Sequence, residues 1–242
     1  MALTKVTSGV LADDAVGVAG LSATGTASAS TFLRGDNAWA SAAAGFEKYT
    51  VVTSSDATFA LQSGTTKLII EVQASGGIAG TSSSGGHTAG PGGGGAYARK
   101  LLSPMVDTDT LNITLGAAAG IAASGTTTSV ASASGTAFTT ITCVGGSGGT
   151  TSSGTYNGTG GAGGTLPTTG DFNVAGGSGG KGDNQKLSPV QGGAWLARIN
   201  AMPSSGVGLP STGYGGGGGS AEGTSLAGGA GGAAVVIVWE YK

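Results

Sequence analysis

The sequence predicts an all-β protein: an antiparallel β-sandwich with a glycine-rich, polyglycine II region, preceded by an extended N-terminal segment. Three observations point there. Short aliphatic runs recur between turn signals, and the clearest of them alternate apolar with polar residues. Blocks of the form G-G-x-G-G repeat through the second half of the chain. Residues 1–45, by contrast, hold few glycines and keep neither a helical nor a strand period.

Composition narrows the alternatives. Glycine supplies 52 of 242 residues and charged residues only 9%, both far from an ordinary globular domain. Such chains are usually disordered, because they bury too little apolar surface to offset ordering entropy. Here the net charge is only −2 and strand-like runs keep recurring, which opposes disorder. Collagen is excluded, since the glycines do not fall at every third position and only six prolines are present. A single cysteine, Cys143, permits no intrachain disulfide and no cysteine metal cluster. No stretch reaches the about 18 apolar residues of a membrane span, and no secretory signal is visible. Ten scattered basic residues leave no electrostatic footprint for nucleic acid.

Residues 1–45 cannot build a core alone and are expected to gain order by packing against copies of themselves or a larger assembly. Phe32, Leu33 and Trp39, brought close by the turn signal Gly35-Asp36-Asn37, are the anchors for that packing. From Phe46 the pattern becomes β. Residues 46–52, 58–61 and 66–74 read as strands, and in the third Leu68, Ile70 and Val72 share one face while Lys67, Glu71 and Gln73 share the other. Residues 76–95 read as a glycine-rich loop carrying the only histidine, His87. Strands resume at 96–102, 110–115, 126–130 and 138–144, with no amphipathic helix between them, which favours antiparallel pairing.

The glycine blocks occupy 145–149, 160–164, 176–180 and 228–232. Glycine at i, i+1, i+3 and i+4 is a period of three with two bare faces, the period of polyproline II. Neighbouring backbones can then approach closely enough to exchange N–H···O=C bonds, which predicts a bundle of polyglycine II helices. The segments between, 150–159, 165–175 and 181–214, carry Tyr156, Phe172, Trp195 and Tyr214 and are expected to cap the rods as turns. The last block leads into Ala233–Trp239, read as a central strand buried on both faces.

No catalytic set is evident. His87 has no acid near it in sequence, and reads as a solvated loop residue or a contact rather than a base. Cys143 reads as a core hydrophobe, and Asp107-Thr108-Asp109 as a turn lacking the other ligands of a calcium loop. G-x-x-x-x-G-K-S/T does not occur. Trp195, with Arg198 three residues on, reads either as a carbohydrate-stacking residue or as one buried under its loop.

The opening MALTKVTSGVLADDAV resembles the virion-attachment peptide of many tailed-phage fibre and spike proteins. Residues 23–40, ATGTASASTFLRGDNAWA, are similar to the linker that precedes the distal domain of phage tail fibres. Residues 46–242 resemble the glycine-rich domain at the tips of such fibres, through Lys67–Gly77, Gly92–Ala98, Leu111–Gly116 and Gly228–Tyr241. The blocks within 145–232 also resemble the adhesin tips of T-even-like phages, in which polyglycine II helices carry host-specific loops, although those adhesins lack the N-terminal linker.

The resemblance implies a virion protein, a homotrimeric tail fibre or receptor-binding protein without enzymatic activity, cofactor or metal. Residues 1–45 would attach it to a baseplate, tail hub or capsid, with Leu3, Val6, Leu11, Phe32, Leu33 and Trp39 as attachment and oligomer contacts. Residues 46–242 would form the exposed tip. Its loops 76–95, 150–159, 165–175 and 181–214 would meet a host polysaccharide or outer-membrane protein through His87, Tyr156, Phe172, Trp195, Arg198 and Tyr214. No nucleic acid and no membrane insertion are expected. The rivals are a head fibre or decoration protein without receptor duty, and an ice-binding or matrix polyglycine protein. The last should show a uniform repeat and a regular row of threonines or alanines, which this chain lacks.

Overall fold

A computed structural model describes residues 24–28, 31–41, 45–83, 87–117, 121–154, 156–182, 191–198 and 206–242. The chain divides into two compact units, Met1–Gly45 and Phe46–Lys242. In the first, β1 (Thr31–Leu33) and β2 (Trp39–Ser41) pair as an antiparallel hairpin with Leu33 opposite Trp39. Its turn closes through Arg34 N–H to Ala38 O at 2.9 Å. Asn37 takes a left-handed φ of 62° there, a conformation that asparagine tolerates better than most residues. Phe32 and Leu33 are exposed and Trp39 is half-buried. Leu3, Val6 and Leu11 lie outside the described residues.

The second unit contains β3 (Phe46–Val52), β4 (Asp56–Ala60), β5 (Lys67–Gln73), β6 (Tyr97–Leu102), β7 (Thr110–Thr114) and β8 (Thr128–Ser134). β9 (Ile141–Cys143), β10 (Phe172–Val174), β11 (Ala197–Arg198), β12 (Thr212–Gly213) and β13 (Val235–Tyr241) complete it. All pair antiparallel, and no helix occurs among the described residues. A five-stranded sheet has the order β10-β6-β5-β13-β3 and a four-stranded sheet the order β4-β7-β8-β9, while β11 and β12 form a separate ribbon.

The two larger sheets share one apolar core, the arrangement of a β-sandwich. Leu68, Ile70 and Val72 from β5 and Val236 and Val238 from β13 meet Leu111, Ile113, Val130, Ile141 and Cys143 from the other sheet. Each such side chain contributes roughly 1.5–3 kcal/mol by leaving water. β13 lies between β5 and β3, with Val238 opposite both Ile70 and Thr50. It is thus an interior strand, but buried fully on one face only. Val236, Val238 and Glu240 are buried, whereas Ile237, Trp239 and Tyr241 are half-exposed. The apolar run reflects an aromatic outer surface, where Trp239 packs against Tyr49 at 5.2 Å and Phe46 at 6.0 Å between ring centroids, and not a second covering layer. Glu240, at the core end of this strand, accepts the Gln62 N–H at 2.6 Å and the Thr65 hydroxyl at 3.0 Å, which anchors the turn before β5.

Strands β5, β9 and β10 run into, and β6 and β13 emerge from, glycine-rich stretches that are neither helix nor strand. These stretches bond to one another through their backbones. Gly218 N–H donates to Gly77 O at 2.9 Å, Gly77 to Gly93 at 2.8 Å, Gly93 to Ser147 at 2.9 Å and Ser147 to Ala162 at 2.8 Å. A second series runs from Gly164 to Gly94, on to Gly177 and then to Gly193, each at 2.8 Å. Backbone amides therefore find partners without forming a ladder. Residues 88–98 and 215–221 are buried throughout.

That burial corrects the reading of 76–95 as a contact loop. Among its described residues only Ser83 is exposed; Gly76, Gly77, Gly80 and Gly90–Ala96 are buried between other segments. Their lack of side chains serves close backbone approach rather than flexibility. Residues 165–175 are likewise not purely a turn, since Phe172–Val174 forms the edge strand β10 beside β6.

Candidate functional site

The glycine stretches beside β5, β6, β9 and β13 have their strand at one end, so the unit has a sheet end and, opposite it, a turn end. The turn end is stitched from polar residues. Ser82 and Leu226 exchange backbone bonds of 2.9 and 3.1 Å, Gly206 and Glu222 exchange two of 3.0 Å, and Ser152 N–H reaches Thr81 O at 3.0 Å. The Asn157 side-chain oxygen accepts the Thr88 N–H at 3.0 Å and lies 3.4 Å from His87 Nδ1. Ser153 and Tyr156 close their own turn with mutual backbone bonds of 2.9 and 3.2 Å, leaving the Tyr156 ring 73% exposed. His87 and Tyr156 are thus brought to one end of the unit on neighbouring segments.

The remaining sequence-predicted residues lie elsewhere. Phe172 and Trp195 meet at the flank of the five-stranded sheet, with ring centroids 5.3 Å apart and planes at 65°. Tyr97, which the sequence reading left out, completes this cluster at 6.1 Å from Phe172 and 5.8 Å from Trp195. Its alternation within β6 was the available signal, because Tyr97, Arg99 and Leu101 share the outer face. Tyr214 follows β12 directly and is partly exposed, and Arg198 sits on β11 with its backbone opposite Thr212. The six candidates therefore do not form one surface.

The flank cluster is held from beneath. The Tyr97 hydroxyl donates to Glu71 Oε2 at 2.9 Å, and Trp239 Nε1–H donates to Glu71 Oε1 at 3.1 Å. Burial, then the hydrogen bond to the neighbouring carboxylate, push the Tyr97 phenol well above its ordinary range, so it stays a donor. Gln73, wholly buried, donates to Ala74, Gly95 and Ala96 carbonyls at 3.2, 3.0 and 3.1 Å and accepts the Leu196 N–H at 3.3 Å. The turn that presents Trp195 is tied to the sheet in this way.

Two expectations about other groups fit the geometry. Cys143 is buried in the core with Sγ–H directed at Val72 O, 3.4 Å away, and burial pushes its thiol up to about 12. The two aspartates of Asp107-Thr108-Asp109 accept bonds from the chain itself: Asp107 from Gly64 N–H at 2.7 Å, Asp109 from Val106 N–H at 3.0 Å and Thr136 N–H at 2.9 Å. No cluster of three histidine, cysteine or acidic side chains able to hold a metal ion occurs among the described residues. No family model matches the chain, and no curated protein matches it.

Proposed function

We propose that the chain is a non-enzymatic virion appendage, a phage tail fibre or receptor-binding protein whose second unit is the exposed tip. The observation that carries this reading is the ordering of the glycine stretches that support the turn end. Residues such as Gly77, Gly93 and Gly218 are fixed by bonds to neighbouring segments, and ordering glycine costs more backbone entropy than ordering any other residue. An arrangement this costly yields a rigid support for exposed turns, the usual way to build a recognition surface.

In this reading the stretches around 76–80, 90–95, 145–149, 160–164, 176–180, 215–219 and 228–232 form a polyglycine II bundle. Period-three spacing and bonds to several neighbours support it, since a polyproline II-like chain has no internal hydrogen bonds. The turns bearing His87 and Tyr156 meet the host polysaccharide or outer-membrane protein, while residues 1–45 attach the chain to other virion proteins as a homotrimer. That part rests on the resemblance of residues 1–40 to fibre attachment and linker segments. Antibodies against residues 151–158 should decorate the far ends of tail fibres on intact particles and lower adsorption. Decoration of the head alone would favour a capsid fibre, and particles that stay unlabelled would refute both.

A further inference from the structure

Trp195 is 56% exposed and Phe172 46% exposed, yet both are firmly placed. Trp195 packs in a tilted arrangement against the buried Tyr97, with an angle of 32° between ring planes. Its turn is held through Leu196 N–H to the buried Gln73 and through Ala197 N–H to Ala194 O at 3.2 Å. Phe172 is held by the pairing of β10 with β6. Two large rings kept rigid and half in water are a ready contact surface, because little side-chain entropy remains to be lost on binding.

The rings form a ridge between two shallow hollows. One, of about 310 Å³, is lined by Ile69, Arg99, Leu101, Asp171 and Phe172; the other, of about 260 Å³, includes Val174, Gly193, Ala194 and Trp195. Exposed Arg99 and Asp171 stand in the first hollow beside the Phe172 ring. Asp171 uses one oxygen to accept Leu101 N–H at 2.8 Å, and its other oxygen is 4.0 Å from Lys100 Nζ with the side chain 61% exposed. A carboxylate in that setting keeps acceptor capacity, and a guanidinium offers donors only.

We propose that this ridge binds a neutral saccharide, a ring of which stacks by its apolar C–H face on Trp195 or Phe172. Its hydroxyls donate to Asp171 and accept from Arg99. A hydroxyl both donates and accepts, so it suits a cation and an anion side by side. An anionic ligand would be opposed by Asp171, and a purely apolar one would leave both charges unpaired on contact. The surface is separate from the turns that carry His87 and Tyr156, so it stands whether or not those turns meet a host.

The test uses the full chain on a printed panel of neutral and anionic oligosaccharides, followed by calorimetric titration of the best binder. Binding to one or more neutral oligosaccharides is expected. Trp195→Ala and Arg99→Ala should each weaken it at least about tenfold, while Trp195→Phe keeps it within a few-fold. Arg99 is exposed, so its variant remains informative if Trp195→Ala fails to fold. A panel that captures no neutral saccharide, binding restricted to anionic ones, or binding indifferent to both Arg99→Ala and Trp195→Ala would overturn the proposal.

Discussion

The N–H of Gly93 donates to the carbonyl oxygen of Ser147 at 2.9 Å, while a third segment, around Ala162, closes on Gly93 from the side where it has no side chain. A methyl group there would lie 2.0 Å from the Ala162 carbonyl oxygen, with backbone on that side unable to swing away. Gly93→Ala is expected to cost about 2–5 kcal/mol, from overpacking together with one or more lost hydrogen bonds. Gly154→Ala, at an exposed turn with nothing within 4 Å of the added carbon, should stay within about 0.5 kcal/mol. Urea denaturation of the two variants compares them directly, and equal stabilities would contradict the account.

β13 supplies an interior strand between β5 and β3 from the last residues of the chain. Val238 is fully buried, so Val238→Ala should lower stability by about 2 kcal/mol. Removal of residues 233–242 should unfold the second unit altogether. Far-ultraviolet circular dichroism and gel filtration of the truncated chain check this; a folded, compact product would mean that β13 is dispensable.

Asp109 gives the fold a defined response to acid. Burial alone would raise its carboxyl, but the N–H donors of Val106 and Thr136 outweigh that and hold it below the usual carboxylate range. A carboxyl lowered in the folded state stabilises the fold above its unfolded value of about 4 and ceases to do so as pH falls through its folded value. Unfolding midpoints measured from pH 6 down to pH 2 should therefore fall, and Asp109→Asn should flatten the acid limb. Parallel curves for the two proteins would refute this role.

Cys143 should be chemically silent in the folded protein. With its thiol pushed up to about 12 by burial, almost no thiolate is present near pH 8, and the thiolate is the reactive form. A chromogenic disulfide reagent should react only after denaturant is added. Reaction of the folded protein at the rate of a free thiol would show that the core opens there.

The turn end makes a separable prediction. His87→Ala combined with Tyr156→Ala touches exposed or half-exposed side chains, so the thermal midpoint should hardly move while adsorption of particles carrying the variant chain falls. Unchanged adsorption would remove these turns from the host contact.

The strands of this fold were legible where burial on one face imposes alternation. Leu68, Ile70 and Val72 mark β5, and residues 46–52 match β3. The outer face of β13 misled because Trp239 and Tyr241 are apolar for packing against Phe46 and Tyr49, and Ile237 stands opposite Val51, a reason that periodicity does not distinguish from burial. β10 was missed since three residues between Asp171 and a glycine stretch carry no period at all; its pairing with β6 is long-range. The segment 76–80 hid in plain view. It reads G-G-I-A-G, the same spacing as G-G-x-G-G with alanine at one glycine position, but the variation disguised it as a loop. At the candidate site, residue types were legible and their grouping was not. Whether Phe172 and Trp195 join His87 and Tyr156 depends on which end of a glycine stretch each occupies, and nothing local in the sequence encodes that.

The central claim is that the glycine stretches are ordered by bonds to one another. Native-state hydrogen exchange resolved at the amides of Gly77, Gly93, Gly177 and Gly218 measures this most directly. The account predicts protection approaching that of β5 and β13 core amides, because each of these N–H groups is bonded to a carbonyl of another segment at 2.8–2.9 Å. Exchange of these four amides at the rate of an unstructured chain, with the strands still protected, would contradict it.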